Sequence, residues 1–158
     1  MWHSETYGKL NIENIPEKLK DFYDRSRVYG EPIEVTIGTD SQNHASYTKI
    51  VTVISIICKH HGGIFFHRTR YTDLIMTVRE KLETETNLSL EIAQKLIELM
   101  DDELMVNCPL SIHIDAGNAG KSRDLIQALT GWVHSMGYDC EVKPNSYAAS
   151  SIADRISK

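Results

Sequence analysis

Four acidic side chains of this sequence have the types and positions that could bind divalent cations. They are Asp40, Glu85, Asp115 and Asp154. Carboxylate oxygens without a convergent histidine or cysteine suit hard cations such as Mg²⁺ or Mn²⁺, which keep water ligands and bind substrate phosphate. Two such ions, roughly 3.5–4 Å apart, could hold the attacking water and the leaving oxygen of a phosphodiester. The chemistry that these acids predict is phosphodiester hydrolysis.

Two of the acids end segments that are predicted to be β-strands. Asp40 ends the segment IEVTIGTD, and Asp115 ends LSIHID. Where such strands are neighbours in an open α/β sheet, their carboxyl ends form the crevice in which ligands bind. Two carboxylates there cannot both stay ionised without a cation. Taken alone, each aspartate is more often a turn former or a helix cap, so the prediction depends on the pair.

The third acid, Glu85, lies on the apolar stripe of a long predicted helix. It follows Leu82 by three residues and precedes Ile92 by seven, so it should face the sheet. An acid on that face needs a partner. Three nearby acids fall off the stripe and are predicted to be solvated: Glu80, Glu83 and Glu91.

The fourth acid, Asp154, lies in the predicted last helix. The small residues Ala149 and Ala153 would let that helix approach the sheet closely. Each helical acid also has an alternative interpretation. Glu85 could be a partly exposed helix residue, and Asp154 could pair with Arg155 or Lys158.

Hydrophobic periodicity indicates which elements position these acids. Residues 1–32 are predicted to form a polar leader and an N-terminal helix that packs on the domain, and residues 33–158 to form the domain. The predicted order within the domain is β-β-β-α-β-α-β-α. The strands are predicted in the segments IEVTIGTD, SYTKIVTVISIICK, GIFFHRTRY, LSIHID and YDCEVK.

The connections between these strands predict their directions. GTDSQNHA and KHHGG are short enough for hairpins, so the first three strands should form an antiparallel meander. The helical connections should make the first, fourth and fifth strands parallel. Helices are expected over about 72–104, with a possible bend near Asn87, over about 121–136, and in NSYAASSIADRIS. The sequence therefore predicts an α/β fold with a five-stranded mixed sheet.

Composition limits the class of protein. The chain has 158 residues, 41% of them hydrophobic, and a formal net charge of -5. That charge argues against coating nucleic acid through bulk positive charge, but an acidic metal site is compatible with it. The N-terminus lacks the pattern of a signal peptide, and no apolar run is long enough to cross a membrane, so we expect a cytoplasmic location. The sequence leaves the oligomeric state open.

The order of elements and acids resembles the ribonuclease H-like superfamily over about residues 33–158. More narrowly, four segments are similar to the YkuK family, a bacterial ribonuclease H-like group: IGTDSQ, ETNLSLEIA, HIDAGNAGKSRDLI and GWVHSMGYDCEVKPNSYAASSIADRISK. The resemblance implies that Asp40, Glu85, Asp115 and Asp154 bind two Mg²⁺ or Mn²⁺ ions when substrate is present. The implied partner is nucleic acid, either RNA, an RNA–DNA hybrid or structured DNA.

The resemblance also bears on the segment before the last helix. The stretch from Asn145 to Asp154 is similar to the start of the closing helix in ribonucleases H, which implies a substrate contact for Asn145. Many ribonucleases H carry a histidine in this loop, whereas this sequence has KPNS. His113, two residues before Asp115, is the accessory candidate for proton transfer. Its alternative role is that of a hydrogen-bonded strand residue.

Several other polar residues could contact substrate. Ser41 and Gln42 could orient a water or touch the nucleic-acid backbone, or they could simply shape the turn. Lys143 could contact a phosphate, or it could be a solvated lysine. The segment GNAGKS lacks the first glycine of a Walker-type phosphate loop. The backbone amides at this helix start, with Lys121 and Arg123, could nevertheless hold a phosphate.

Two functions are compatible with these features. The first is a metal-dependent nuclease that acts on RNA, RNA–DNA hybrid or structured DNA. The second is a non-catalytic ribonuclease H-like module that binds nucleic acid or a protein. The low basic charge and the missing loop histidine favour the second, and the four acids favour the first.

Overall fold

A mixed seven-stranded sheet forms the centre of the protein, as the computed structural model describes it for residues 1–117 and 122–158. The strand order across the sheet is β2-β1-β5-β4-β3-β6-β7. The strands are β1 (Trp2–Ser4), β2 (Gly8–Leu10), β3 (Ile33–Asn43), β4 (Thr48–Cys58), β5 (Gly63–Thr72), β6 (Leu110–His113) and β7 (Asp139–Glu141). Strands β3, β4 and β5 form the predicted antiparallel meander. Strands β3, β6 and β7 are parallel, as predicted.

The prediction of five strands was wrong because the leader supplies two more. Strand β1 pairs with β2, with Trp2 opposite Leu10, and it joins the sheet through His3 opposite His67 of β5. Each of these strands has only three residues, which is too short for an alternating pattern to be recognised. Trp2 and Leu10 are buried in the main hydrophobic core.

The helices cover both faces of the sheet. The helices are α1 (Ile15–Ser26), α2 (Val78–Leu99), α3 (Asp102–Asn107), α4 (Arg123–Ser135) and α5 (Asp154–Ser157). Helix α2 begins later than predicted, because the Thr77 hydroxyl accepts a hydrogen bond from the Glu80 amide and caps the helix there. The predicted helical region is divided after Leu99, and Asp101 caps α3 in the same way. Within the described residues, no helix combines the length and apolar character needed to cross a membrane.

Strand β3 lies between two layers. Successive side chains of a strand point to opposite faces, so alternate residues of β3 face different layers. Thr39 and Ser41 point towards α2, where they contact Ser89 and Glu85. The alternate residues of β3 point towards residues 148–157, here called the closing segment. The closing segment consists of a π-helical stretch, Ala148–Ala153, followed by α5.

Strand β3 is also longer than predicted. The residues Ser41 to Asn43 were expected to form a turn, but they continue the ladder with β4 as far as the pair Asn43 and Thr48. Asp40 therefore lies inside β3, opposite Val51. Strand β6 accompanies β3 only as far as the pair Gly38 and His113. Asp40 and Ser41 thus lie just beyond the last β3–β6 pair.

Candidate metal centre

Three aspartates converge at the end of the parallel strands. Asp40, Asp115 and Asp154 each offer a carboxylate oxygen, and these oxygens all lie within 4.8 Å of one another. Asp40 comes from β3, Asp115 follows β6 by two residues, and Asp154 begins α5. The three elements meet because the closing segment packs on the face of β3 to which Asp40 points. We call these residues the aspartate triad.

Hydrogen bonds from neighbouring side chains hold the triad in place. The Ser157 hydroxyl donates to Asp40 Oδ2 at 2.6 Å. The Gln42 amide donates to the same Asp40 oxygen at 3.0 Å and to Asp154 Oδ1 at 3.2 Å. Gln42 therefore links two of the aspartates, which gives this predicted residue a positioning role in the structure.

Burial and hydrogen bonds shift the pKa values of Asp40 and Asp115 in opposite directions. Burial is the largest influence on the pKa of Asp40 and raises it, and the hydrogen bond with Asp115 also raises it. Burial also raises the pKa of Asp115, but hydrogen bonds with Asp40, Ser150 and Lys143 outweigh this effect, so the net pKa is lowered. The pKa of Asp40 is therefore raised and that of Asp115 lowered, so the two neighbouring carboxylates differ in acidity.

Glu85 lies on the other side of β3 from the triad. Its Oε2 accepts hydrogen bonds from the Ser41 amide at 2.7 Å and from the Ser41 hydroxyl at 2.6 Å. The residue is only 3% exposed. Because Ser41 and Asp40 are consecutive strand residues, their side chains point to opposite faces. The structure therefore brings the carboxylates of three predicted acids within 4.8 Å of one another, and it places Glu85 beside them, with Glu85 Oε2 and Asp40 Oδ1 in contact with the same Lys81 nitrogen.

Lys81 contacts both Asp40 and Glu85 and was not among the residues predicted from sequence. Its ammonium nitrogen Nζ contacts Glu85 Oε2, and it lies 3.3 Å from Asp40 Oδ1 and 2.9 Å from the Ser41 carbonyl oxygen. Lys81 precedes Glu85 by four residues, so both lie on one face of α2. That spacing was a usable signal, because a buried helical glutamate needs a cation and this lysine is correctly placed to supply it.

The Lys81–Glu85 pair remains partly ionised despite burial. Burial lowers the pKa of Lys81, but the charges and hydrogen bonds of Glu85 and Asp40 outweigh it, and the net pKa is raised. Burial raises the pKa of Glu85 to about 7, although Lys81 and Ser41 act against the increase. Lys81 is therefore an ammonium ion at neutral pH, and it neutralises charge where the acids meet.

The donor set fits a hard divalent cation. The triad presents only carboxylate oxygens, and Asp115 and Asp154 are partly exposed, so a bound ion would keep water ligands. Glu85 Oε1 is buried and accepts no hydrogen bond from any residue that the structure describes. A buried carboxylate oxygen without a partner is costly, and the other oxygen of Glu85 is already bound by Lys81. The residues present are therefore compatible with Mg²⁺ or Mn²⁺.

Two exposed lysines lie against the triad. Lys143 Nζ is 3.2 Å from Asp115 Oδ1, and Lys158 Nζ is 3.0 Å from Asp154 Oδ2. From the sequence, Lys143 was interpreted as a phosphate contact or a solvated lysine. The pairing of Lys158 with Asp154 corresponds to the alternative that the sequence left open for that aspartate. Both lysines are more than half exposed, so they can move away when a cation binds.

Two of the remaining predicted residues, Arg123 and Asn145, make no polar contact with the triad among the residues that the structure describes. Arg123 is exposed at the start of α4, and Asn145 is exposed beside a cavity of about 620 Å³ that His113 also lines. Lys121 lies outside the described residues.

His113 contacts the closing segment. Its Nδ1 accepts a hydrogen bond from the Ala148 amide at 3.1 Å, and the ring of Tyr147 packs edge-on at 4.6 Å between centroids. Burial lowers the pKa of His113 to about 4. The imidazole is therefore neutral near pH 7 and holds the start of the closing segment, and these contacts agree with the alternative of a hydrogen-bonded strand residue.

His113 should make stability depend on pH. Its pKa falls from 6.5 in the unfolded chain to about 4 in the folded protein. Between these values the unfolded state binds a proton that the folded state does not, so stability is complete above pH 6.5 and decreases as the pH falls towards 4. We expect His113→Asn to reduce the slope of unfolding free energy against pH by at most about 1.4 kcal/mol per pH unit.

Urea denaturation at a series of pH values would measure this slope. The matched control is His134→Asn, because His134 is exposed on α4. The control should leave the slope as in the wild type. An equal slope in the wild type and His113→Asn would contradict the assignment of a neutral, buried His113.

Comparison with known proteins agrees with this architecture. A family model described as ribonuclease H-like matches residues 14–158. The Bacillus subtilis (strain 168) protein YkuK, described as uncharacterized, is 31% identical over 169 aligned residues, which cover 100% of this chain and 97% of YkuK. These matches confirm the resemblance seen in the sequence. The chain thus belongs to the ribonuclease H-like family, and within that family to the YkuK type.

Proposed function

We propose that this protein is a divalent-metal-dependent nuclease that hydrolyses phosphodiester bonds in RNA, RNA–DNA hybrid or structured DNA. The observation that carries the proposal is the convergence of the Asp40, Asp115 and Asp154 carboxylates within 4.8 Å. Membership in the ribonuclease H-like family supports the same chemistry. No other side-chain type is needed to bind the cation, because carboxylates and water suffice for Mg²⁺ or Mn²⁺.

The side chains around the triad have distinct roles in this proposal. The ion would polarise a phosphate oxygen and lower the pKa of a bound water. Gln42 and Ser157 keep the aspartates oriented through their hydrogen bonds. Lys143 is free to contact a substrate phosphate once the ion replaces it at Asp115. A second ion, which the sequence leads us to expect with substrate, would need oxygens of Asp40 and Glu85 that already contact Lys81.

A cleft on the α2 face of the sheet supports nucleic acid as the partner. It has a volume of about 720 Å³, and Ile50, which lines it, lies opposite Ser41 on the α2 face of the sheet. The cleft is also lined by two arginines and two aromatic residues: Arg70, Arg79, Tyr71 and Trp132. Cationic groups beside aromatic faces are typical of grooves that bind single-stranded nucleic acid.

One observation favours the alternative of a non-catalytic binding module. Each of the four acids contacts a lysine: Lys81 contacts Asp40 and Glu85, Lys143 contacts Asp115, and Lys158 contacts Asp154. The site is therefore largely charge-compensated without any metal. A module that binds nucleic acid or a protein without hydrolysis needs no bound metal, so compensation by these lysines would be enough.

A cleavage assay tests the proposal. We expect Mn²⁺-dependent cleavage of at least one member of a panel of single-stranded RNA, RNA–DNA hybrid, single-stranded DNA and branched DNA. Excess chelator should abolish that cleavage, because the triad alone cannot activate water. The control is Asp40→Asn purified in the same way, which should be inactive. A contaminating nuclease would instead cleave the substrate in both preparations.

Calorimetric titration with Mn²⁺ separates the two functions. A nuclease should bind Mn²⁺ in the wild type and lose affinity in Asp40→Asn. A non-catalytic binding module should bind Mn²⁺ weakly, and Asp40→Asn should not change that binding. A folded, Mn²⁺-loaded protein that cleaves none of the four substrates would lead us to reject the nuclease in favour of the module.

A further inference from the structure

We propose that the Lys81 ammonium permanently takes the place of a second cation between Asp40 and Glu85, so that this site binds one divalent ion. The inference rests on the proposed function for the first ion, which belongs to the aspartate triad. It differs from the two-ion arrangement that the sequence resemblance implies.

The Lys81 nitrogen lies in an oxygen cage of the kind that binds metal ions. It contacts Glu85 Oε2, the Ser41 carbonyl oxygen at 2.9 Å, Asp40 Oδ1 at 3.3 Å and the Ser41 hydroxyl at 3.4 Å. An ammonium group has three hydrogens to donate, and here four oxygens surround it. Two of them belong to carboxylates and one to a backbone carbonyl, which are oxygen types that hard cations also select.

The place of Lys81 in the fold makes this arrangement specific. Asp40 points to the closing segment and Ser41 points to α2, so their side chains lie on opposite faces of β3. Lys81 contacts both residues just beyond the last pair between β3 and β6. A divalent ion that used oxygens of both Asp40 and Glu85 would have to lie beside the same nitrogen. The repulsion between these positive charges would oppose its binding.

Glu85 provides a second and independent observation. Its Oε1 is buried and, among the residues that the structure describes, receives no hydrogen bond. The carboxylate therefore uses one oxygen for Lys81 and Ser41 and keeps the other without a partner. If the positive charge of Lys81 is removed, this carboxylate becomes an uncompensated buried ligand, and a divalent ion is the natural replacement.

Counting bound Mn²⁺ ions tests the inference. We expect calorimetry to give one ion per chain for the wild type and two for Lys81→Met. The electron paramagnetic resonance spectrum should be that of an isolated ion in the wild type and of a coupled ion pair in the variant. Lys95→Met is the matched control, because Lys95 is an exposed lysine on the same helix. It should bind one ion.

A second variant covers the case in which Lys81→Met does not fold. Lys81→Gln removes the charge but keeps an amide that can donate to Glu85, and it should also bind two ions. Two ions in the wild type would overturn the inference and leave the nuclease proposal intact. One ion in folded Lys81→Gln or Lys81→Met would overturn it as well. No ion in the wild type would instead reject the proposed function, and the inference with it.

Discussion

Asp115→Asn is expected to lower the rate of Mn²⁺-dependent cleavage by roughly 10³-fold while the fold is retained. The reason is that metal-ion stabilisation of a transition state is worth several kcal/mol, and each 1.36 kcal/mol corresponds to a factor of about ten. Asparagine has nearly the same shape as aspartate but lacks the negative charge that binds the ion. Initial rates on the best substrate of the panel would measure the loss.

Asp115 is a better target than Asp40 for separating chemistry from stability. Asp40 receives the hydrogen bonds of Ser157 and Gln42, so its loss also weakens the attachment of the closing segment. Asp115 is partly exposed, and its lysine partner Lys143 is exposed. In chelator, we therefore expect Asp115→Asn to melt close to the temperature of the wild type, because the loss of the exposed Lys143 pair and the relief of repulsion with Asp40 act in opposite directions.

The control for this variant is a second aspartate that is changed in the same way. Asp24 lies on α1 in an exposed ion pair with Lys20 at 3.8 Å. Asp24→Asn should leave the cleavage rate unchanged. If Asp115→Asn cleaves at the wild-type rate, the aspartate triad is not the catalytic centre and the nuclease proposal fails.

Gly38→Ala is expected to destabilise the protein by about 1–3 kcal/mol and to weaken Mn²⁺ binding. A Cβ atom on Gly38 would lie 2.4 Å from the backbone nitrogen of Ala149 and 2.7 Å from the carbonyl carbon of Ala148. These are backbone atoms, which cannot rotate away as a flexible side chain would. The closing segment would have to move off β3, and it carries Asp154.

Gly131→Ala is the matched control for this substitution. Gly131 lies inside α4, and a Cβ atom there would meet nothing within 4 Å. Because alanine favours helix more than glycine does, this change should stabilise the protein by up to about 1 kcal/mol. Urea denaturation would measure both free energies of unfolding, and calorimetry would measure both Mn²⁺ affinities. Unchanged stability in Gly38→Ala would show that the closing segment tolerates displacement.

The meander and the parallel strands could be predicted from sequence because their signals are local. Strands β3, β4 and β5 each have at least ten residues, and short hairpin segments separate them. The crossover rule then gives the directions of β6 and β7. Strands β1 and β2 could not be found, because their pairing is decided by contacts with β5 and by the burial of Trp2.

The position of Glu85 relative to the other acids could not be predicted for a different reason. Asp40 to Asn43 have residue types that are depleted in strands, so they indicated a turn. In the structure, their side chains are satisfied by Glu85, Asp154 and Ile75, and the ladder with β4 continues. Once Asp40 and Ser41 are strand residues, alternation directs Ser41 to Glu85 and Asp40 to the closing segment. Only then does Lys81 become necessary as the link between the two sides.

The sequence separation of the site contacts has a consequence for protein synthesis. Lys81 is 41 residues from Asp40, whereas Ser157 is 117 residues from it. A chain that leaves the ribosome N-terminus first can therefore close the short loop, and neutralise Asp40 and Glu85 with Lys81, while the closing segment is still being made. The aspartate triad is incomplete until Asp154 docks. A nascent chain would thus carry Asp40 and Glu85 in compensated form, and under the proposed function it would stay inactive until the closing segment docks.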